Sequence, residues 1–289
     1  MRVASLGSGS RGNALYVEEA GTRVLVDAGF SGAQIDRRLR ALGVPPESIE
    51  AVVVTHDHRD HTAGAGVAAR RWGWPLYMSP GTREAVDGLL RGGEEVRPFR
   101  AGDEFEVGAL AFASFLTCHD AADPLAVTAT GLSSGVKLGV ATDLGRPTTS
   151  VRHALAGCHF LVLEANHDEV LLREGPYPWS IKERIGGSRG HLSNRLAADL
   201  AVELLHPELC AILLAHLSQE CNDPDRARGV VGEALRARGW SGTLHVAEQD
   251  RPTALFDVPG LLARRPGRGQ LELFRSGAGG PDRLSSPGA

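Results

Sequence analysis

Residues 56–61 read His56-Asp57-His58-Arg59-Asp60-His61. Three histidines and two aspartates in six residues suit one kind of chemistry above others. Imidazole nitrogen and carboxylate oxygen are the donors of Zn, Mn and Fe sites. Buried without partners, such groups would cost roughly 1–3 kcal/mol each, and a divalent cation removes that cost. His56 and His58 lie two apart on an extended segment and can point to one ion. Asp60 and His61, where the chain turns into a helix, can serve a second. Gly64 and Gly66 then permit close backbone approach.

The element that must deliver these histidines is Ile49–Thr55 (IEAVVVT), a continuous apolar run of the kind a fully buried strand shows. Strands are expected before it at Arg2–Leu6, Ala14–Glu18 and Arg23–Val26. A helix is expected over Ser31–Leu42, with Ile35, Leu39 and Leu42 on one face, stopped by Gly43 and the Pro45-Pro46 pair. Further strands are expected at Phe105–Val107, Leu110–Thr117, Ala126–Thr130, Val136–Thr142, Phe160–Leu163, Ala211–Ala215 and Thr243–Val246. Helices are expected at Ser150–Ala156, Trp179–Ile185, Asn194–Leu205 and Asp225–Arg238. This order predicts a mixed α/β sandwich, with packed sheets covered by helices on both outer faces. Residues 1–258 form the domain. Pro259–Ala289, with seven glycines and four prolines, reads as a mostly flexible tail in which Leu271–Phe274 could dock.

Composition narrows the classes. The 289 residues are 42% hydrophobic and 23% charged, the balance of a soluble globular protein. No apolar run reaches the roughly 20 residues of a membrane span, and no signal peptide is expected at Met1–Asn13. Four cysteines (Cys118, Cys158, Cys210, Cys221) make no C-x-x-C pair, which points to free thiols in a reducing cytoplasm. The formal charge of −4 argues against binding nucleic acid by bulk positive charge. Gly7-Ser8-Gly9-Ser10-Arg11-Gly12 fits G-x-G-x-x-G, but Asn13–Val26 reads as strand, turn, strand. The helix that a dinucleotide site requires is missing, and no nucleotide cofactor is expected. Two readings stay open for the loop, a tight glycine turn or an anion-accepting cradle of backbone N–H groups with Ser8, Ser10 and Asn13.

The H-x-H-x-D-H string resembles the defining motif of the metallo-β-lactamase superfamily. That resemblance implies a four-layered αββα sandwich and a dinuclear metal hydrolase. It places an aspartate at the end of an early strand, matched by Asp27. It adds a histidine after a later strand (His119 in FLTCHD), a bridging aspartate (Asp143 in VATDLG) and a final histidine (His216 in AILLAHLS). The implied ligands are His56, His58, Asp60, His61, His119, Asp143 and His216, for two Mn²⁺ or Zn²⁺ ions. His245 competes with His216 for the last place, and Cys118 neighbours His119. His153, His159 and His206 read as structural.

SLGSGSRGNALYV, LEANHD at Leu163–Asp168, GPYPWSIKERI at Gly175–Ile185 and GHLSN at Gly190–Asn194 look like the YycJ (WalJ) family. Its members are regarded as Mn- or Zn-dependent DNA exonucleases with 5′-to-3′ activity and a role in DNA repair. GHLSN also resembles the histidine segment of ribonuclease Z, which makes His191 the implied phosphate contact and proton donor, with Asp60 accepting a proton from the attacking water. Ser10, Asn13, Asn166, His167, Ser193 and Asn194 are candidate substrate contacts or, equally, loop-stabilising residues. Trp179 could stack on a base or belong to the core. DNA is the expected partner. The alternatives are a small-molecule ester, thioester or cyclic phosphodiester hydrolase, a di-iron oxidoreductase, and a non-catalytic binding module.

Overall fold

The computed structural model describes residues 1–264. The chain opens with an antiparallel meander, β1 (Arg2–Gly7), β2 (Ala14–Glu19) and β3 (Thr22–Val26). It continues through α1 (Gly32–Ala41) into the parallel strands β4 (Ala51–Val53), β5 (Leu76–Met78) and β6 (Val96–Pro98). Between these lie α2 (Arg59–Thr62), α3 (Ala65–Trp72) and α4 (Pro80–Ala85). A second sheet begins with the antiparallel strands β7 (Glu104–Val107), β8 (Leu110–Leu116), β9 (Leu125–Gly131) and β10 (Lys137–Ala141). It continues in parallel with β11 (Phe160–Glu164), β12 (Ala211–Ala215) and β13 (Thr243–Val246). The helices α5 (Thr149–Leu155), α6 (Glu169–Glu174), α7 (Trp179–Gly186), α8 (Asn194–Glu203) and α9 (Pro224–Ala237) fall between them. The chain returns through β14 (Phe256–Asp257), which pairs with β1, and α10 (Val258–Ala263).

Alternation along the strands builds the layers. Phe160 and Val162 of β11 face the other sheet, while Leu161 and Leu163 face helices; β12 sorts Leu213 from Ile212 and Leu214 in the same way. One core lies between the sheets, where Val17, Val24 and Val53 meet Phe112, Val127 and Val140. A second joins β11 and β12 to α5, α8 and α9 through Leu155, Leu200 and Leu235. A third sits under α1 and α3, around Leu25, Ile35, Leu39 and Trp74. These are the four layers αββα, as expected.

Local chemistry sets the boundaries. Ser31 and Gln34 form a capping box at α1, and Ser193 and Asp223 cap α8 and α9. The expected strand Ile49–Thr55 is shorter than its apolar run. The Thr55 N–H is taken by Asp27 Oδ1 at 2.8 Å and not by a ladder partner, so the chain leaves the sheet just before His56. Pro259–Ala263, read from sequence as the start of the tail, is helical, with Val258 and Leu262 buried. The rest of the expected tail, with Leu271–Phe274, lies outside the described residues. No helix among the described residues is long and apolar enough to cross a membrane.

Candidate metal centre

The C-terminal ends of six strands converge on one rim of the sandwich. β3 delivers Asp27, β4 the 56–61 segment, β8 His119, β10 Asp143, β11 Glu164 and β12 His216. Three of these residues have left-handed backbone: Asp27 (φ 64°), Asp143 (φ 58°) and His216 (φ 55°). Such conformations cost non-glycine residues of order 1–3 kcal/mol and persist only where surroundings over-determine them. Here they do: Asp27 N–H donates to Val53 O and His216 N–H to Ser8 Oγ, both at 2.8 Å. The packing is tight enough to demand glycine. A Cβ on Gly29 would sit 1.6 Å from Asp60 O, and one on Gly64 1.9 Å from Phe30 O.

Two donor groups result, joined by an aspartate. His56, His58 and His119 form the first, and Asp60, His61 and His216 the second; Asp143 also groups with His56 and His61, and with Glu164, His191 and His216. His119 Nε2 lies 3.2 Å from His58 Nδ1, and His216 Nε2 lies 3.2 Å from Asp60 Oδ2. Asp143 reaches both groups, with Oδ2 3.1 Å from His61 Nε2 and Oδ1 3.6 Å from His119 Nε2.

Three of the imidazoles are oriented from behind. Asp27 Oδ2 lies 2.7 Å from His61 Nδ1, Thr55 Oγ1 3.0 Å from His56 Nδ1, and Gly190 O 2.9 Å from His119 Nδ1. Partners of this kind fix the tautomer and free Nε2 for a ligand. The residues fit a cation on a direct observation. His56 Nε2 and Asp143 Oδ2 are buried with no well-formed hydrogen bond, although His61 Nε2 approaches Asp143 Oδ2 to 3.1 Å. Buried polar atoms are rarely left so, and a cation would satisfy both.

The electrostatics agree. Burial works against charge on His216, but Asp143, Asp60 and Glu164 outweigh it and raise its pKa to about 10. His61 is likewise raised, against its burial, by Asp143, Asp27 and Asp60. Burial opposes ionisation of Asp60, yet His61 and His216 hold it well below the ordinary carboxylate range. Asp143 is lowered against its burial by His216 and His61. Burial pushes His56 well below its ordinary value and leaves it neutral. Carboxylates in such an environment attract cations.

Glu164 is the functional residue that the sequence reading missed. It is fully buried. One oxygen accepts from His191 Nδ1 at 2.8 Å and His216 Nδ1 at 2.9 Å. The other accepts from the N–H groups of Leu144 and Leu192 at 2.7 and 3.0 Å. Despite its burial, its pKa falls to about 2, chiefly through His191 and His216. The available signal was a lone acidic residue closing the apolar strand FLVLE. His191 lies 3.7 Å from Asp143 Oδ1 and lines a cavity of about 250 Å³ over the cluster, with Ser10, Tyr177 and Arg184.

The remaining expected contacts are placed differently. Asn13 is a brace. Its Oδ1 accepts from Ser8 Oγ and Gly9 N–H, and its Nδ2 lies 3.1 Å from both Asp60 Oδ2 and His61 Nε2. Most of the glycine loop's N–H groups are likewise turned inward, while Ser10 lines the cavity. The N–H groups of Gly7, Ser8, Gly9, Arg11, Gly12 and Asn13 all donate to internal acceptors. Asn166 donates to His216 O, and Asn194 pairs with Asn222; both are buried. Ser193 caps α8 and hydrogen-bonds Glu169. His167 is buried beside it, in a second cavity. Trp179 is 67% exposed and so is not core. His245 packs in β13 against Phe256, and neither it nor Cys118 joins a donor cluster among the described residues. His206 bonds Cys158 O, and His159 accepts from Lys137 N–H.

Known proteins resemble this chain in sequence and in fold. The model of the metallo-beta-lactamase superfamily matches residues 7–137. Exodeoxyribonuclease YycJ of Bacillus anthracis is 34% identical over 261 residues, covering 88% of this chain and 98% of that protein. Exodeoxyribonuclease WalJ of Streptococcus pneumoniae serotype 2 is 34% identical over 225 residues, covering 76% and 83%. The metallo-beta-lactamase fold protein YhfI from Bacillus subtilis superposes with a TM-score of 0.66 at 21% identity, covering 87% of this chain and 98% of YhfI; that likeness concerns the fold. Alignment with both exodeoxyribonucleases over most of their length places the chain in the metallo-β-lactamase superfamily, in its YycJ/WalJ branch.

Proposed function

We propose that this protein is a metal-dependent exodeoxyribonuclease that hydrolyses DNA phosphodiesters over the His/Asp cluster. The observation that carries this is the pair of orphaned buried donors, His56 Nε2 and Asp143 Oδ2, beneath a cavity that His191 lines. The near full-length likeness to YycJ supports DNA as the substrate. Two ions are expected. His56, His58 and His119 would hold one, Asp60, His61 and His216 the other, and Asp143 would serve both. Nitrogen and oxygen donors without thiolate suit Mn²⁺ and Zn²⁺ alike. When bound, the ions supply Lewis-acid polarisation of a phosphoryl oxygen and lower the pKa of water.

The chain's own groups do the rest. Asp60 lines the cavity, where its carboxylate would accept a proton from the attacking water. His191 is oriented by Glu164 through Nδ1. Its Nε2 is left to hydrogen-bond a phosphoryl oxygen and to protonate the leaving oxygen. Arg184, now paired with Asp120 at 2.5 Å, stands at the mouth as a bidentate phosphate donor. The family resemblance adds 5′-to-3′ direction and DNA repair as the expected setting. The test is DNA labelled at either end, incubated with metal-free and metal-loaded protein. Metal-dependent release of mononucleotides from one end is expected. Metal-loaded protein that leaves DNA intact but turns over a thioester would refute the proposal.

A further inference from the structure

Helix α7 stands between two cavities. Ile181, Arg184 and Ile185 line the one over the histidine cluster. Trp179, Lys182 and Glu183 line a larger one, of about 600 Å³, closed on its other side by α6 and the start of α8. That volume lies within the range of small-ligand pockets, roughly 300–1,000 Å³. His191 lines both cavities. The second therefore opens beside the group that meets the leaving oxygen.

Its lining selects the occupant. The other tryptophans, Trp72, Trp74 and Trp240, pack in hydrophobic clusters, but Trp179 is 67% exposed and belongs to none among the described residues. An indole face left open on a cavity wall is a stacking platform. His167 also lines the cavity; it is 3% exposed, and its Nδ1 has no hydrogen-bond partner. Burial lowers its pKa, so it is a neutral imidazole. The charges around the rim cancel. Arg173 and Lys182 face Glu169 and Glu183, and Lys182 Nζ is tied to Arg173 O at 2.7 Å. A phosphate gains little there, whereas a neutral planar heterocycle gains stacking and one polar contact.

We propose that this cavity is a nucleoside subsite, which holds the nucleoside bearing the leaving oxygen with its base on Trp179 and His167 as the polar contact. The proposal rests on the phosphodiesterase reading above. Trp179→Ala removes an exposed side chain, so the variant should fold normally. With intact oligodeoxynucleotide, KM should rise on the order of tenfold, as loss of base–aromatic stacking implies, with kcat little changed. For wild-type protein, an abasic residue placed in the terminal or the penultimate position should give the same rise at one of those positions only. The abasic substrate with Trp179→Ala should show no further rise, and Trp179→Phe should restore most of the affinity. Additive effects, or no effect of either change while digestion continues, would overturn the subsite and leave the nuclease reading intact. If the metal-loaded protein digests no DNA, the nuclease reading fails and binding alone decides. Deoxyadenosine should then quench tryptophan fluorescence in the wild type and not in Trp179→Ala, and absence of that difference would overturn the subsite.

Discussion

Replacing Glu164 with glutamine removes one acceptor and one charge while keeping the shape, and the consequences divide by which way the amide turns. With its oxygen toward the imidazoles, the –NH₂ faces the N–H groups of Leu144 and Leu192, which now sit 2.7 and 3.0 Å from Oε2. Two buried donors lose their acceptor, at about 2–6 kcal/mol in total from roughly 1–3 kcal/mol each. For a chain of this size that corresponds to a fall in Tm of roughly 5–20 °C. With the amide reversed, the backbone is satisfied, but His191 and His216 must accept at Nδ1 and carry their proton on Nε2. His216 Nε2, 3.2 Å from Asp60 Oδ2, would then be blocked as a ligand. Loss of a supporting partner of this kind lowers metal affinity or activity about 10–100-fold. Calorimetry of the metal-free variant, with elemental analysis of the loaded one, separates the two cases. Wild-type Tm together with wild-type metal content and activity would refute the role given to Glu164.

Other residues give sharper but narrower outcomes. His191→Ala should retain both ions by elemental analysis and lose phosphodiesterase activity by a factor of about 100 or more, since general acid–base groups contribute roughly 10²–10⁴; loss of metal would make His191 a ligand. Asn13→Ala removes a donor to Asp60 and the tie to Gly9, and metal affinity should fall about 10–100-fold, read by competition with a chromogenic chelator. Gly29→Ala forces a Cβ to 1.6 Å from Asp60 O, so the protein should lose metal and unfold at lower temperature; a wild-type thermogram would contradict that packing.

The parts of the site that were legible in the sequence are those written in consecutive residues. The 56–61 segment shows its chemistry because a strand end and a helix start put four donors within six positions. Asp27, His119, Asp143 and His216 arrive one per strand, tens of residues apart, and only family resemblance links them. Glu164 shares their placement but gives its oxygens to two imidazoles and two backbone N–H groups, so in sequence it resembles any acid closing a strand. The glycine loop invites an anion-cradle reading because a sequence does not show where backbone N–H groups go. Here most go inward, to Ser5, Gly9, Asn13, Glu248 and Gln249, and Asn13 in turn holds Asp60. The long strands and amphipathic helices were legible from periodicity. The strands β5 and β6 span three residues each and β14 two, too few to show a period, and their pairing is imposed by neighbours. Trp179 was ambiguous for the opposite reason: an aromatic at helical spacing usually means core, and only the fold shows its indole in solvent.

The central claim is that the donor groups joined by Asp143 hold two ions at which DNA is cut. Its most direct test titrates metal-free protein with Mn²⁺ or Zn²⁺ while counting bound ions and released nucleotides in the same samples. Release should appear as two ions per chain are taken up, disappear on chelation, and be absent from Asp143→Ala, which should lose at least one ion. Digestion that survives chelation, or persists undiminished in Asp143→Ala with both ions retained, would contradict the claim.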